Sequence, residues 1–351
     1  MQSNSVRRQA SSGETELALL AGIRSRSAHM RNPRLQLGIG DDCALLRLRR
    51  GEEMAVTTDL SIEGHHFRLE SYPPEAIGHR TLARGLSDLA AMGARPIAAF
   101  LSLGLPRALV KKVKVREPAW LDRFLDGFLS LAEAHQTPLA GGDLAESPIA
   151  TADIVLAGAV QRGRALLRSG ARPGDLLYVT GNLGGSAAGL ALLAHSVTAR
   201  QRRYFQSNHW RLRIPDGPLA ALRQHFFPQP RIAQGLRLAG RWSATAAIDL
   251  SDGLSTDLAH LCEESRVAAE VNAASLPIHP AATLLQALHG GEDYELLFTA
   301  PSSARLPRSI AGVAVTPIGR ILPRGSGKPP VRLITARGKL PLEPQGWQHF
   351  C

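Results

Sequence analysis

Carboxylates flanked by very small residues recur along this chain: Asp41 and Asp42 in GIGDDCALL, Asp59 in TTDLSIEG, Asp88 in GLSDLAAMGA, Asp143 in AGGDLAES, Asp249 and Asp252 in AIDLSDGL, and Glu292 and Asp293 in GGEDYELLF. Small neighbours let a backbone approach a ligand closely, and loops that follow strands are where α/β folds bind their ligands. Hard oxygen donors in this number, without the His and Cys spacing of a zinc site, suit Mg²⁺, which usually arrives with substrate phosphates. An isolated Ser-Asp or Gly-Asp pair is ordinarily a helix cap or a turn. Six such clusters in one chain change that balance, as does Asp249, which lies in an apolar run where a charge needs a partner or a metal. The residues point to a Mg²⁺-dependent phosphate-handling site.

Other chemistries find less support. The P-loop pattern GxxxxGK[ST] is absent, and the Gly-rich NLGGSAAG could offer backbone N–H groups to an anion or simply allow close helix packing. His65 and His66 follow Asp59 in a loop, where a histidine more often meets solvent or caps a turn than acts as a base. Neither GxSxG nor HExxH occurs, so serine hydrolase and zincin chemistry have no anchor.

The elements that must position these acids alternate along the chain. ETELALLAGIRSRSA reads as a short amphipathic helix, GIGDDCALLRL as a Gly-rich turn leading into a strand, and MAVTTDL as a strand ending in the loop SIEGHHF. EAIGHRTLARGLSDLAAMGARP reads as a helix closed by Gly93 and Pro96, IAAFLSLGLP as a strand, and Trp120 to His135 as a helix with one apolar face. After Arg164, GARPGDLLYVTG and SATAAIDLSDGL each read as strand, loop, helix, followed by short strands near Val313–Ile318 and Val331–Ile334 joined by the Pro/Gly-rich LPRGSGKPP. The expectation is an α/β fold in two layered domains: a disordered tail over 1–13, an N-terminal domain over 14–163 and a C-terminal domain over 164–351.

The 351 residues, 44% of them hydrophobic, suffice for two cores. The longest apolar stretch, Ile97 to Leu105, is about half of a membrane span, and three widely spaced cysteines fit a reducing cytoplasm better than a disulfide framework. The net charge of +11 invites a nucleic-acid-binding reading, but no RNP, KH or zinc-finger signature accompanies it. Eighteen basic residues lie in the acid-free segments 107–116, 197–213 and 296–342, so the remainder of the chain, which holds the aspartate motifs, is net acidic.

Read in order, GIGDDCALL, TTDLSIEGHHF, LSDLAAMGARP, GGD, RSGARPGDLLYVTG, IDLSDGL, GGEDYELLFT and GWQHF resemble the thiamine-monophosphate kinase family from about Glu14 to Phe350. Any one motif alone points only to the wider superfamily that includes aminoimidazole ribonucleotide synthetase. The resemblance implies an N-terminal α/β domain whose sheet pairs across a homodimer, a C-terminal α/β domain, and an active site in the cleft between them. It implies transfer of the terminal phosphate of ATP to thiamine monophosphate, with several Mg²⁺ ions and no membrane or nucleic-acid partner. By motif, Asp42, Thr57, Thr58, Asp59, Asp88, Asp143, Asp249 and Asp252 would bind metal. Gly142, Asp143, Arg168 and Ser251 would contact ATP, and His66, Glu292 and Trp347 would touch thiamine monophosphate. Catalysis would run through Asp42, Asp59, Asp88, Asp143 and Asp249 by way of bound Mg²⁺, without a general base, because the acceptor phosphate oxygen is already anionic. Two features depart from the family pattern: Leu144 stands where Thr commonly follows GGD, and the basic segments 107–116 and 197–213 are additions. Aminoimidazole ribonucleotide synthetase-type chemistry is the nearest alternative.

Overall fold

The computed structural model describes residues 16–111, 118–195, 198, 220–240, 244–325 and 330–347. The 1–13 tail, residues 112–116, nearly all of 197–213, part of the LPRGSGKPP linker and the last three residues of GWQHF lie outside the described residues.

Helix α1 (Glu16–Ser27) and a small β1 (Leu35–Leu37) and β2 (Leu45–Leu46) pair precede β3 (Glu52–Ile62), α2 (Pro74–Ala91), β4 (Arg95–Leu105), α3 (Arg107–Val110), α4 (Trp120–Ala134), β5 (Leu139–Glu146) and β6 (Thr151–Gln161). These strands form one sheet in the order β3-β6-β4-β5, with β4 and β5 parallel because α4 carries the chain back between them. Helices α2 and α4 cover one face. They cross almost backbone to backbone, since a Cβ on Gly78 would lie 1.9 Å from the Phe124 carbonyl oxygen and one on Gly127 would lie 1.9 Å from that of Glu75. Beside this crossing, Arg123 forks onto the fully buried Glu75 at 2.7 and 2.8 Å, so the charges brought inside satisfy one another.

A second sheet follows. Strands β7 (Asp175–Thr180), β8 (Ala246–Asp249), β9 (Val267–Asn272), β10 (Leu296–Pro301), β12 (Val313–Pro323), β13 (Val331–Thr335) and β14 (Gly338–Pro341) run in the order β14-β13-β9-β12-β7-β10-β8, with β11 (Ser309–Ile310) paired to β12. Among the described residues it is accompanied by α5 (Gly185–His195), α6 (Ala220–Phe226), α7 (Ile232–Gly240) and α8 (Leu254–Glu264), with the short α9 (Leu284–His289) preceding β10. Both faces are buried. Tyr178 and Phe298 join the core that also contains Ile77, Leu86 and Phe124 of the first unit, whereas Leu177, Val179 and Leu297 face a separate cluster with Leu258 and Leu261 of α8. The alternation along β7 and β10 is thus apolar on both sides, as a doubly covered sheet requires.

Helix α2 is the seam between the two sheets. It packs on β3 and β6 behind it and on α7 and β8 in front. Gly235 of α7 permits this approach, because a Cβ there would stand 2.0 Å from the Ala90 carbonyl oxygen. Strand β3 runs two residues past its expected end, to Ile62, with Thr57, Thr58 and Asp59 inside it as expected, and Gly142 and Asp143 lie within β5. A glycine is required at 142: φ is 147°, and a Cβ would lie 1.9 Å from the Leu101 carbonyl oxygen of β4.

Candidate functional site

The acids named from the sequence divide into two groups. The first gathers at the seam. Alternation along β3 turns Thr57 and Asp59 toward α2 and leaves Thr58 on the exposed opposite face. Thr57 Oγ1 donates to Asp88 of α2, and Arg84, one helical turn earlier, forks onto Asp59 at 2.8 and 2.6 Å. Ser87 Oγ donates to Asp249 at 2.7 Å, tying the end of β8 to the same helix. Burial is the main cause that pushes Asp88 and Asp249 above the usual carboxylate range, Asp249 to about 7, and their mutual repulsion adds to the rise in Asp249. The Arg168 guanidinium acts on both from the short turn Arg168–Gly170 and works in the opposite direction. Asp59 is also raised, by burial against the pull of Arg84.

The loop after β8 continues the group. Asp257, the first acid of α8, accepts the backbone N–H groups of Asp252 and Gly253 at 3.1 and 3.0 Å and so fixes the turn that carries Ser251 and Asp252. The chain end returns here: Gly346 N donates to Thr256 Oγ1 at 3.0 Å and Trp347 N to the Asp252 carbonyl at 3.3 Å, with Trp347 53% exposed. Glu292 packs on the same turn, its N–H donating to the Ser251 carbonyl at 2.8 Å. Although burial opposes ionisation, Arg80, His225 and Arg84 hold Glu292 down at about 2. His66 folds back on its own loop, its Nδ1 accepting from Ile62 N at 3.1 Å.

The second group lies apart. Asp42, Gly142 and Asp143, with Arg24, Cys43 and Leu144, line a cavity of about 660 Å³ between α1, the β1–β2 loop and β5. Among the described residues, neither Asp42 nor Asp143 shares a hydrogen bond or ion pair with Asp59, Asp88 or Asp249; Asp143 Oδ1 accepts from Leu144 N at 2.9 Å, and Asp41 Oδ1 from Asp42 N at 3.0 Å. Nor do three His, Cys, Asp or Glu among the described residues stand close enough to hold a metal ion by themselves. A site built this way needs further oxygens from its ligands, which is how Mg²⁺ is ordinarily bound with phosphates.

The Gly-rich loop before α5 has its own anion. Asp293 accepts from Gly184 N at 2.6 Å and Ser186 N at 3.1 Å, so the N-terminus of that helix is filled by a side chain of this protein. Motif reading missed Arg80, Arg84 and Ser87. A signal for them exists: with Asp88 they fall at intervals of four, three and one along α2, a polar stripe on a helix otherwise buried all round. His225 and Tyr72 carried no local signal.

Comparisons with known proteins agree with this architecture. The family described as "AIR synthase related protein, N-terminal domain" matches residues 40–160, and "AIR synthase related protein, C-terminal domain" matches residues 172–331. The thiamine-monophosphate kinase of Escherichia coli K12 is 38% identical over 352 aligned positions, covering 96% of this chain and 98% of the relative. The crystal structure of thiamine-monophosphate kinase from Stenotrophomonas maltophilia K279a superposes with a TM-score of 0.75 at 37% identity, covering 91% of this chain and 96% of the other. That of AaThiL complexed with AMPPCP and TMP gives 0.69 at 30% identity, covering 95% and 97%.

Proposed function

Because this chain belongs to the thiamine-monophosphate kinase family, within the AIR synthase-related proteins, we propose that it transfers the γ-phosphoryl group of ATP to thiamine monophosphate, giving thiamine diphosphate and ADP. The observation that carries this reading is the convergence of Asp59, Asp88, Asp249 and Glu292 from both sheets on helix α2. Two carboxylates that repel each other, the buried Asp249 and the half-buried Asp88, make a site that a cation would relieve, and the donor set of hydroxyl and carboxylate oxygens fits Mg²⁺.

In this reading Asp42, Thr57, Thr58, Asp59, Asp88, Asp143, Asp249 and Asp252 hold Mg²⁺, and Gly142, Asp143, Arg168 and Ser251 contact ATP. Bound Mg²⁺ supplies charge neutralisation between two polyanions and alignment of the acceptor oxygen with the γ-phosphorus. The chain's own contribution is positional. Ser87 and Thr57 fix Asp249 and Asp88, Asp257 fixes the Ser251–Asp252 turn, and Arg84 holds Asp59 in place. His66, Glu292 and the exposed Trp347 recognise the acceptor, the indole face suiting a flat cationic ring. The acceptor phosphate is already an anion, so transfer is direct and in line.

The edge strand β3 presents Met54, Val56 and Leu60 outward, 46, 59 and 48% exposed, which supports the N-terminal sheet pairing across a homodimer. We place the two units at 14–163 and 164–351 and the enzyme in the cytoplasm, in keeping with the free thiols of Cys43 and Cys262. Incubation with ATP, Mg²⁺ and thiamine monophosphate is expected to yield thiamine diphosphate and ADP in equal amounts. ADP release without thiamine diphosphate would overturn the reading.

A further inference from the structure

Arg80 is an arginine of the first unit whose hydrogen bonds, among the described residues, go to the second. Its side chain is 5% exposed; one amino group is paired with Glu292 Oε1 and the other donates to the His225 carbonyl. The guanidinium carbon stands 5.8 Å from the centre of the Tyr72 ring. His225 is held at both ring nitrogens, by Tyr72 Oη at 2.7 Å and Ser186 Oγ at 2.9 Å. Four parts of the chain therefore converge behind one carboxylate.

That carboxylate is held in an uncommon way. Glu292 has φ of 63°, a left-handed conformation that a non-glycine residue keeps only where its surroundings impose it. Arg80 engages Oε1. Oε2 is 3.9 Å from His225 Nδ1, whose hydrogen bond goes to Ser186, so Oε2 has no hydrogen-bond partner among the described residues. The side chain is 29% exposed. One oxygen is thus tied back and the other is left as an acceptor at the seam.

We infer that Arg80 is a positioning residue for acceptor recognition, fixing Glu292 so that its second oxygen meets the N–H donor at the end of the acceptor substrate remote from its phosphate. This rests on the thiamine-monophosphate reading. The acceptor carries a neutral aminopyrimidine at one end, a cationic thiazolium in the middle and a phosphate at the other end, so an ionised carboxylate accepts from the amino group and attracts the thiazolium while repelling the phosphate. Arg80 therefore helps set which way round the acceptor lies, without touching it. ATP, which this reading places on Gly142, Asp143, Arg168 and Ser251, presents a phosphate chain that the same oxygen repels.

The test is steady-state kinetics with each substrate varied separately, for the wild type, Arg80→Met, Arg80→Lys, Glu292→Gln and the Arg80→Met/Glu292→Gln double variant. Arg80→Met is expected to raise KM for thiamine monophosphate about tenfold while KM for ATP stays within about twofold. Arg80→Lys, a point charge that reaches one acceptor but not both, is expected to fall between. The double variant should be no worse than the more affected single one, because Arg80 acts through Glu292. Equal rises in both KM values, a fall confined to kcat, or additive effects would overturn the inference. If Arg80→Met does not fold, Arg80→Lys decides by the same split between the two KM values. A wild-type protein that makes no thiamine diphosphate would instead remove the functional reading beneath it, so the two failures are distinct.

Discussion

Asp249 and Asp143 look alike in the sequence, each an aspartate reached through small or apolar residues, yet they occupy opposite environments. Asp249 is 3% exposed at the seam, hydrogen-bonded to Ser87 and facing Asp88, whereas Asp143 is an exposed residue lining the cavity beside α1. Burial makes a carboxylate costly unless something compensates it, so the seam stores unfavourable charge that Arg168 offsets in part and a cation would relieve further. The cavity group stores none. The same residue type in the same kind of motif thus bears on stability in one region and carries no such cost in the other.

Replacing both residues would break or sustain this contrast most clearly. Asp249→Asn is expected to cut turnover by roughly 10³-fold, the scale for losing a charge-stabilising group. In EDTA at pH 7.5 it is also expected to raise the thermal midpoint, because the amide can still accept from Ser87 while one of two facing charges is gone. Asp143→Asn should also depress turnover but leave the midpoint within about 2 °C, as exposed substitutions do. Melting curves alongside thiamine diphosphate formation read both effects. A lower midpoint for Asp249→Asn with normal turnover would reverse the assignment of strain to the seam.

The pH dependence of stability sharpens the contrast at smaller scale. Burial drives the His225 imidazole down to about 3 and that of His79 to about 4, and both lie where α2 meets the second unit. Each folded value is below the unfolded one, so the folded protein binds fewer protons from about pH 6.5 downward, and the stability these rings confer above that pH is lost as pH falls. For a fully buried ring this amounts to roughly 2 kcal/mol at pH 5. Asp293, raised to about 7 by burial, works the other way, its contribution falling as pH rises from about 4 to about 7. The clean observable is therefore a difference: the gap in midpoint between the wild type and His225→Gln should be wider at pH 7.5 than at pH 5. An equal gap at both would mean that His225 does not titrate across folding.

What could be read in advance follows from the range of the interactions. Asp88 was legible because Leu-Ser-Asp-Leu-Ala-Ala packs small residues around one acid within a helical turn, and the mixed α/β architecture was legible from apolar periodicity. The need for glycine at 142 was not, because only the close approach of Leu101 on the neighbouring strand explains it. Arg80 and Glu292 are 212 residues apart, and nothing local at either position specifies the other. Their pairing is set by how α2 packs across the seam. Likewise the Gly-rich loop before α5 kept two readings open until Asp293 was seen capping it.

The smallest expected effect concerns Leu144, which replaces the Thr common after Gly-Gly-Asp. Its side chain is partly buried against the core and lines the cavity beside Asp143, while its backbone N–H is what donates to Asp143 Oδ1. The contact that orients the acid is therefore independent of the side chain. Leu144→Thr should preserve it, cost about 1 kcal/mol in lost packing, and change kcat/KM for ATP by less than about threefold. A rise of tenfold or more would show that a hydroxyl here reaches the nucleotide. The cavity acids would then act as a unit with their side-chain neighbours, as the seam acids do, and the contrast between the two regions would narrow to burial alone.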